Sequence, residues 1–386
     1  MVNMVKTGLE ILLSDHMRDL ANTSIGIVAN HASVTSGLIH ISDALKSAGA
    51  SIVALFGPEH GARGDVADGE VIGDATDERL GVPVYSLYGK NRAPTREMLD
   101  GIDMMIVDLQ DVGSRFYTFL YTMSHVMAAC GQHGVPVWVL DRPNPITGIN
   151  PDGPILEPEF SSFVGMYAIP TRHALTVGEL ARLFRARFGV ECDLRVIEMK
   201  GWSRGMWFDQ TGLPWVLPSP NMPSLETAMV YPGLCLIEGT NLSEGRGTVR
   251  PFETFGAPWI DPSELKSALM RYDLPGVDFR EAYFIPNASK FQGTRCAGLQ
   301  VYVTDRDSFR PVVTGVAVIA ALHGLYPDQF AFRPPSAEGR RFFDLLAGTA
   351  SVREAINAGA SPWDIAATWQ AGLADYAQAC RTAMLY

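Results

Sequence analysis

Ser51-Ile-Val-Ala-Leu-Phe56, followed at once by Gly57-Pro-Glu-His-Gly-Ala-Arg-Gly64, decides the fold. The first six residues form an unbroken apolar run rich in β-formers, the pattern of a strand buried on both faces of a parallel sheet. The next eight are punctuated by three glycines and a proline, so the chain leaves the strand through a tight loop. That loop carries a carboxylate, an imidazole and a guanidinium. In open α/β sheets ligands sit beyond the carboxyl ends of the strands, where Glu59, His60 and Arg63 fall.

Similar runs recur on either side. Thr23–Ala29, Val82–Leu87, Asp103–Leu109, Val135–Leu140 and Leu194–Met199 read as strands. Helical patterns alternate with them at Ile41–Ala48, Phe116–Cys130 and Thr176–Phe188, the last opening with a Thr176/Glu179 capping box. Strands alternating with helices imply right-handed βαβ units. The predicted fold is α/β, a Rossmann-like parallel sheet sandwiched by helices, with a smaller C-terminal α+β domain. From Gly201 to Trp259 four tryptophans and seven prolines mark a structured loop region. Strands near Ala282–Ile285 and Gly298–Thr304, then helices near Val312–Leu322, Gly339–Leu346 and Trp363–Ala383, follow. The expected division is a catalytic domain over 1–260 and a C-terminal domain over 261–386 that closes the cleft.

The 386 residues are 47% hydrophobic and carry a formal charge of −11, which disfavours a nucleic-acid or anionic-membrane partner. The five scattered cysteines form no Cys-x-x-Cys pair, and the eight histidines no His-Glu-x-x-His, so no metal or cofactor is expected. Glu10 and Asp15 interrupt any apolar segment at the start. The chain is expected to be cytoplasmic, or periplasmic or secreted if a leader was removed. Oligomeric state is left open.

Three strand exits are loaded with polar groups. The first holds Glu59, His60 and Arg63, with Glu70 beyond. The second, Val107-Asp-Leu-Gln-Asp-Val-Gly-Ser-Arg-Phe-Tyr117, holds Asp108, Asp111, Arg115 and Tyr117. The third is Leu140-Asp-Arg-Pro-Asn-Pro145, with Asn144. Each taken alone is explained by a solvated loop, a helix cap or an Asn-Pro turn. Together they predict one polar crevice, and paired carboxylates beside aromatic and amide groups suit glycoside hydrolysis. Gly201-Trp-Ser-Arg-Gly205 matches a nucleophile elbow but opens into no convincing helix. The glycine-rich Ser243-Glu-Gly-Arg-Gly-Thr248 lacks the lysine of a phosphate loop.

Phe56-Gly-Pro-Glu-His-Gly61, Asp108–Tyr117, Leu140–Pro145, Pro218-Ser-Pro-Asn-Met-Pro223 and Glu238-Gly-Thr-Asn-Leu-Ser-Glu-Gly-Arg-Gly-Thr248 form an ordered series. The series closely resembles the exo-β-N-acetylmuramidase (NamZ) family, glycoside hydrolase family 171. The resemblance runs from about residue 7 to the C-terminus. It implies release of non-reducing-end, β-1,4-linked N-acetylmuramic acid (MurNAc) from bacterial peptidoglycan fragments such as MurNAc-GlcNAc, a small-molecule sugar substrate, in cell-wall turnover and recycling. It also implies that Glu59 is the catalytic acid, handing a proton to the glycosidic oxygen. The partner carboxylate is open between Glu70, Asp108 and Asp111, and His60 is a further catalytic candidate. The lactyl carboxylate of MurNAc calls for a cation, for which Arg63, Arg115, Arg246 and Arg250 are candidates. Tyr117, Asn144, His173, Asn221, Asn241 and Glu244 complete the expected substrate contacts. A non-catalytic sugar- or muropeptide-binding protein, or an amidase or esterase using Ser203 or His60, are the competing readings.

Overall fold

The computed structural model describes residues 4–59, 61–62 and 75–386. Within them, β1 (Ser24–Ala29), β2 (Ser51–Gly57), β3 (Ala75–Thr76), β4 (Pro83–Ser86), β5 (Met104–Asp108) and β6 (Val137–Leu140) join β9 (Leu194–Ile197) in one seven-stranded sheet. Its order is β3-β4-β2-β1-β5-β6-β9, and every pairing is parallel except that of the two-residue edge strand β3. The chain runs outward from β1 through β2 to β4, then returns to place β5 on the other side of β1. That reversal opens a crevice at the carboxyl ends of the central strands.

The apolar runs are continuous because both faces of this sheet are covered. Ile25, Ile27, Leu55 and Ile106 pack on one side with Ile41 and Leu45 of the helix Ile41–Ser47. Val28, Phe56, Met105 and Val107 pack on the other, beneath the helices Phe119–His133 and Val177–Arg187. The capping box at Thr176 and Glu179 forms as expected.

The remaining strands lie outside this sheet. A short hairpin pairs β7 (Asp152–Ile155) with β8 (Pro170–Arg172), and an antiparallel sheet of order β10-β12-β11 joins Thr254–Ala257, Cys296–Val303 and Val277–Phe284. β10 falls within the stretch expected to be loop. So does the helix Leu225–Leu234, in which every residue but Glu226 is buried. A helix buried on almost every side shows no 3.6-residue stripe, and Pro232 in its last turn further masks it. This helix crosses Pro311–Leu325 so closely that a Cβ on Gly233 would sit 1.8 Å from the Pro311 carbonyl oxygen. The expected long helix Trp363–Ala383 is two helices, Pro362–Ala367 and Gln370–Cys380.

Arg115, expected to touch substrate, is instead fully buried. Its guanidinium donates to the carbonyls of Pro154 (2.8 Å), Ile169 (3.0 Å) and Leu346 (2.7 Å), tying the hairpin to the helix Phe342–Ala347. Burial pushes its pKa down to about 10, so it stays protonated at neutral pH. Arg115→Leu would remove three buried hydrogen bonds, one of them to the Ile169 carbonyl, which keeps the Leu156 amide (3.3 Å); at about 1 kcal/mol each the expected loss is about 3 kcal/mol. Urea unfolding measures it; an unchanged midpoint would return Arg115 to the list of surface contacts.

Candidate active site

The floor of the crevice is a buried ion pair. Asp108, the last residue of β5, accepts from Arg142 Nε at 2.5 Å and from its terminal nitrogen at 2.7 Å, with both side chains sealed from solvent. The same arginine donates to the Val34 carbonyl (3.0 Å) in the loop after β1. Asn30, at the exit of β1, donates to the Pro218 carbonyl (3.1 Å), so the Pro218–Pro223 segment is fastened to the same floor. Asp111 accepts from the Gly113 amide (2.7 Å) and faces His173 Nε2 at 3.0 Å. Asn144 holds the Leu175 carbonyl and the Ile146 amide. Asp108, Asp111, Asn144 and His173 are therefore buried polar residues, none of which lines the cavity beside Glu59.

Glu59 lies in the loop that leaves β2. The Gly61 amide donates to the Pro58 carbonyl at 3.0 Å, closing a turn with Glu59 at its second position. Glu59 Oε2 accepts from the hydroxyl of Thr118 at 2.9 Å. Thr118 is the N-cap of the helix Phe119–His133, yet its side chain makes no capping bond. The hydroxyl that would have capped the helix holds the carboxylate instead. Glu59 Oε1 has no hydrogen-bond partner among the described residues.

A cavity of about 520 Å³ opens at this carboxylate. Tyr117, Tyr231 and Phe252 give it aromatic walls, with Tyr231 and Phe252 edge to face at 4.7 Å. Ser219 and Asn221 contribute neutral hydrogen-bonding groups, and Arg246 contributes a cation. Glu59 is the one carboxylate lining it among the described residues. Phe252 (φ 62°) and Ser289 (φ 66°), both on its wall, occupy the left-handed region that side chains rarely adopt. Such strain persists where the surrounding structure imposes it, and it collects at ligand sites.

The glycine-rich run explains how Arg246 is presented. Gly245 (φ 80°) and Gly247 (φ 78°) flank it, and a Cβ on either would meet backbone: the Thr254 carbonyl oxygen at 2.3 Å, the Ala288 amide nitrogen at 2.4 Å. Only glycine fits both places, so the arginine projects from a backbone pinned on each side. Glu238 Oε1 accepts from Arg246 Nε (2.9 Å) and from its terminal nitrogen (2.8 Å), and the guanidinium lies 5.2 Å from the Phe252 ring centroid. Behind it, Lys290 pairs with Glu244 at 2.9 Å and also donates to the Leu242 carbonyl. Burial pushes the Glu238 carboxyl above its ordinary range, against the pull of Arg246.

Of the residues expected from sequence, Glu59, Tyr117, Asn221 and Arg246 meet at this cavity. Glu244 sits in the charge cluster behind it. Asn241 bonds the Gln329 carbonyl and the Ala331 amide, and Arg250 pairs with Glu253 beside a separate depression, so neither lines the cavity. His60, Arg63 and Glu70 lie outside the described residues. Ser203 is exposed on a turn that does not open directly into a helix, the next helical segment being the single 3-10 turn Phe208–Gln210, which removes the nucleophile elbow. Thr118, Ser219, Tyr231, Phe252, Glu238 and Lys290 were not anticipated. Ser219 and Glu238 sat inside the quoted motifs, and Thr118 directly follows one; Lys290 carried no signal. Among the described residues no group of three or more His, Cys, Asp or Glu side chains is placed to hold a metal ion.

Residues 25–226 match the family model of the exo-beta-N-acetylmuramidase NamZ N-terminal region, and residues 229–386 that of its C-terminal region. The chain is 49% identical over 383 residues to the peptidoglycan beta-N-acetylmuramidase NamZ of Bacillus subtilis (strain 168), covering 99% of this chain and 91% of that one. Two crystal structures of DUF1343 family proteins from Bacteroides fragilis superpose with TM-scores of 0.92 and 0.79, at 36% and 30% identity, each over 99% of both chains. The chain belongs to the exo-beta-N-acetylmuramidase NamZ family.

Proposed function

We propose that Glu59 is the general acid of an exo-acting glycosidase that releases MurNAc from the non-reducing end of peptidoglycan fragments such as MurNAc-GlcNAc. The reaction class is that of the family, and the Bacillus relative is named for it. What carries the assignment of roles is one observation: a strand-exit carboxylate, fixed by Thr118, faces a cavity that also presents a fixed arginine.

Thr118 occupies Oε2 of Glu59, so the proton to be transferred resides on Oε1. That oxygen meets the glycosidic oxygen as the C1–O bond lengthens; the departing sugar leaves as a neutral alcohol, and the oxygen of a water molecule bonds C1 in its place and loses a proton to give free MurNAc. The muramic ring lies in the cavity against the aromatic walls, whose faces suit the C–H surface of a pyranose. Its lactyl carboxylate pairs with Arg246, and Ser219 and Asn221 read hydroxyl and acetamido groups. A preset guanidinium loses little freedom when it accepts a carboxylate.

Two substitutions test these roles. Glu59→Gln keeps the shape and the acceptor toward Thr118 but has no proton to give. Its kcat for release of free MurNAc from MurNAc-GlcNAc is expected to fall by about 10²–10⁴ with KM little changed; near-normal turnover would remove Glu59 from the acid role. Arg246→Ala is expected to raise KM for MurNAc-GlcNAc by about tenfold or more, through loss of a charge-assisted contact. The same variant should discriminate less against GlcNAc-GlcNAc, which lacks the lactyl group. Retained selectivity would place the carboxylate elsewhere.

A further inference from the structure

Lys290 is held far more closely than a surface lysine. Its ammonium donates to the carbonyls of Leu242 (2.7 Å), Ile237 (3.2 Å) and Glu238 (3.4 Å), so each of its three N–H groups has an acceptor. It also forms an ion pair with the buried carboxylate of Glu244 at 2.9 Å. The chain that wraps it is the one that carries Glu238 and Glu244, the two carboxylates within 3.6 Å of Arg246.

The lysine itself comes from the connection between β11 and β12. That connection closes on itself where the Gly293 amide donates to the Pro286 carbonyl (2.8 Å), and the Asn287 amide fastens it to the Gly247 carbonyl (2.8 Å) in the turn that presents Arg246. Ala288 and Ser289, directly before Lys290, line the cavity beside Glu59. Ser289 (φ 66°) and Phe291 (φ 58°), on either side of the lysine, both take the left-handed conformation that side chains adopt under constraint. Lys290 thus joins a wall of the cavity to the charges around Arg246. Those charges balance, two carboxylates against two cations. Tyr231 and Cys235 also face Glu238, and burial holds both neutral, well above their ordinary pKa.

We propose that Lys290 is a positioning residue that determines specificity for an anionic sugar: it clamps the loop 286–293 onto the turn of Arg246 and supplies the charge that lets this arginine accept a carboxylate. The inference rests on Arg246 as the partner of the lactyl carboxylate. Without Lys290 the group would carry a net negative charge beside the arginine. An incoming carboxylate would feel that repulsion across several ångströms of partly buried space, and a neutral sugar would not. Lys290 therefore acts on which sugar is held without touching the proton transfer.

The test is equilibrium binding of free MurNAc and of its neutral lactyl methyl ester to the full chain at low ionic strength, with melting temperatures to show that each variant is folded. At about pH 8, Lys290→Met is expected to weaken MurNAc binding by about tenfold and to leave the ester within about twofold. As the pH falls the unbalanced carboxylates take up a proton, and burial already holds Glu238 above its ordinary range, whereas the lactyl carboxylate stays ionised. The loss should therefore shrink to about threefold at about pH 5. Adding Glu244→Gln to Lys290→Met restores the balance and should recover most of the affinity. Glu244→Gln alone leaves a net positive charge and should tighten MurNAc binding by about threefold, which keeps the idea testable if Lys290→Met does not fold. Equal weakening of acid and ester, a loss independent of pH, no recovery in the double variant, or no tightening by Glu244→Gln would each overturn it. Arg246→Ala is titrated alongside. If it keeps the wild-type preference for acid over ester, the pairing of the carboxylate with Arg246 falls and the role of Lys290 with it; if it loses that preference while Lys290→Met keeps it, the role of Lys290 alone fails.

Discussion

The buried pair of Asp108 and Arg142 is the constraint on which the site depends. One guanidinium joins the ends of two adjacent parallel strands and also grips the loop after a third. Sealing two opposite charges from water costs several kcal/mol for each ion before their attraction is counted, so such a pair is poor evidence for net stability. Its value here is geometric. A forked cation on a single carboxylate accepts few arrangements, and a slipped strand or a displaced loop would leave a bare charge in the interior. The loops that surround the substrate are therefore hung from a floor that tolerates little movement.

On that floor the polar residues of the strand exits separate into two layers. Asp108 is spent on Arg142, Asp111 faces His173 and bonds the Gly113 amide, and Asn144 holds backbone groups, although Asp111 Oδ1 has no hydrogen-bond partner among the described residues. Glu59, Tyr117, Asn221 and Arg246 reach the cavity. The second group is drawn from more of the chain, since Glu59 follows β2 whereas Asn221 and Arg246 lie beyond β9. Both groups are held by partners, and what separates them is that the second also lines the cavity. Thr118 shows the reverse case, a residue with a ready local role as a helix cap that gives it up to hold Glu59.

This is why the sheet was legible in the sequence and the layering was not. Apolar runs of five to seven residues, spaced by helical patterns, report directly on strands covered on both faces, and six of the seven strands of the main sheet follow from them. The crevice followed from the position of the exits. But Arg115 and Arg246 look alike as sequence, each close to glycine and serine in a quoted motif. Arg115 is structural because carbonyls at positions 154, 169 and 346 converge on it. No local pattern encodes that convergence. The helix Leu225–Leu234 was hidden for a related reason: burial on all sides erased the periodicity that marks a helix half in water.

Arg246 raises a question of charge that its position answers. In the role proposed for it Arg246 would take an incoming carboxylate, yet it is already bonded to Glu238 and has Glu244 within 3.6 Å, while Lys290 brings the group of four to formal neutrality. A lone cation would attract anions more strongly, but it would swing freely and would lose that freedom on binding. Glu238 takes the inner edge of the guanidinium, the Phe252 ring backs one face, and two glycines pin the backbone on either side. The fork is thereby aimed before substrate arrives. Part of the long-range attraction is given up, and under the proposed role what is gained is a demand for direction, since a carboxylate would be rewarded only on approach from the cavity side. If Arg246 takes the lactyl carboxylate as proposed, selectivity for one sugar acid over a general anion follows from an arginine that is charged, nearly neutralised and held still.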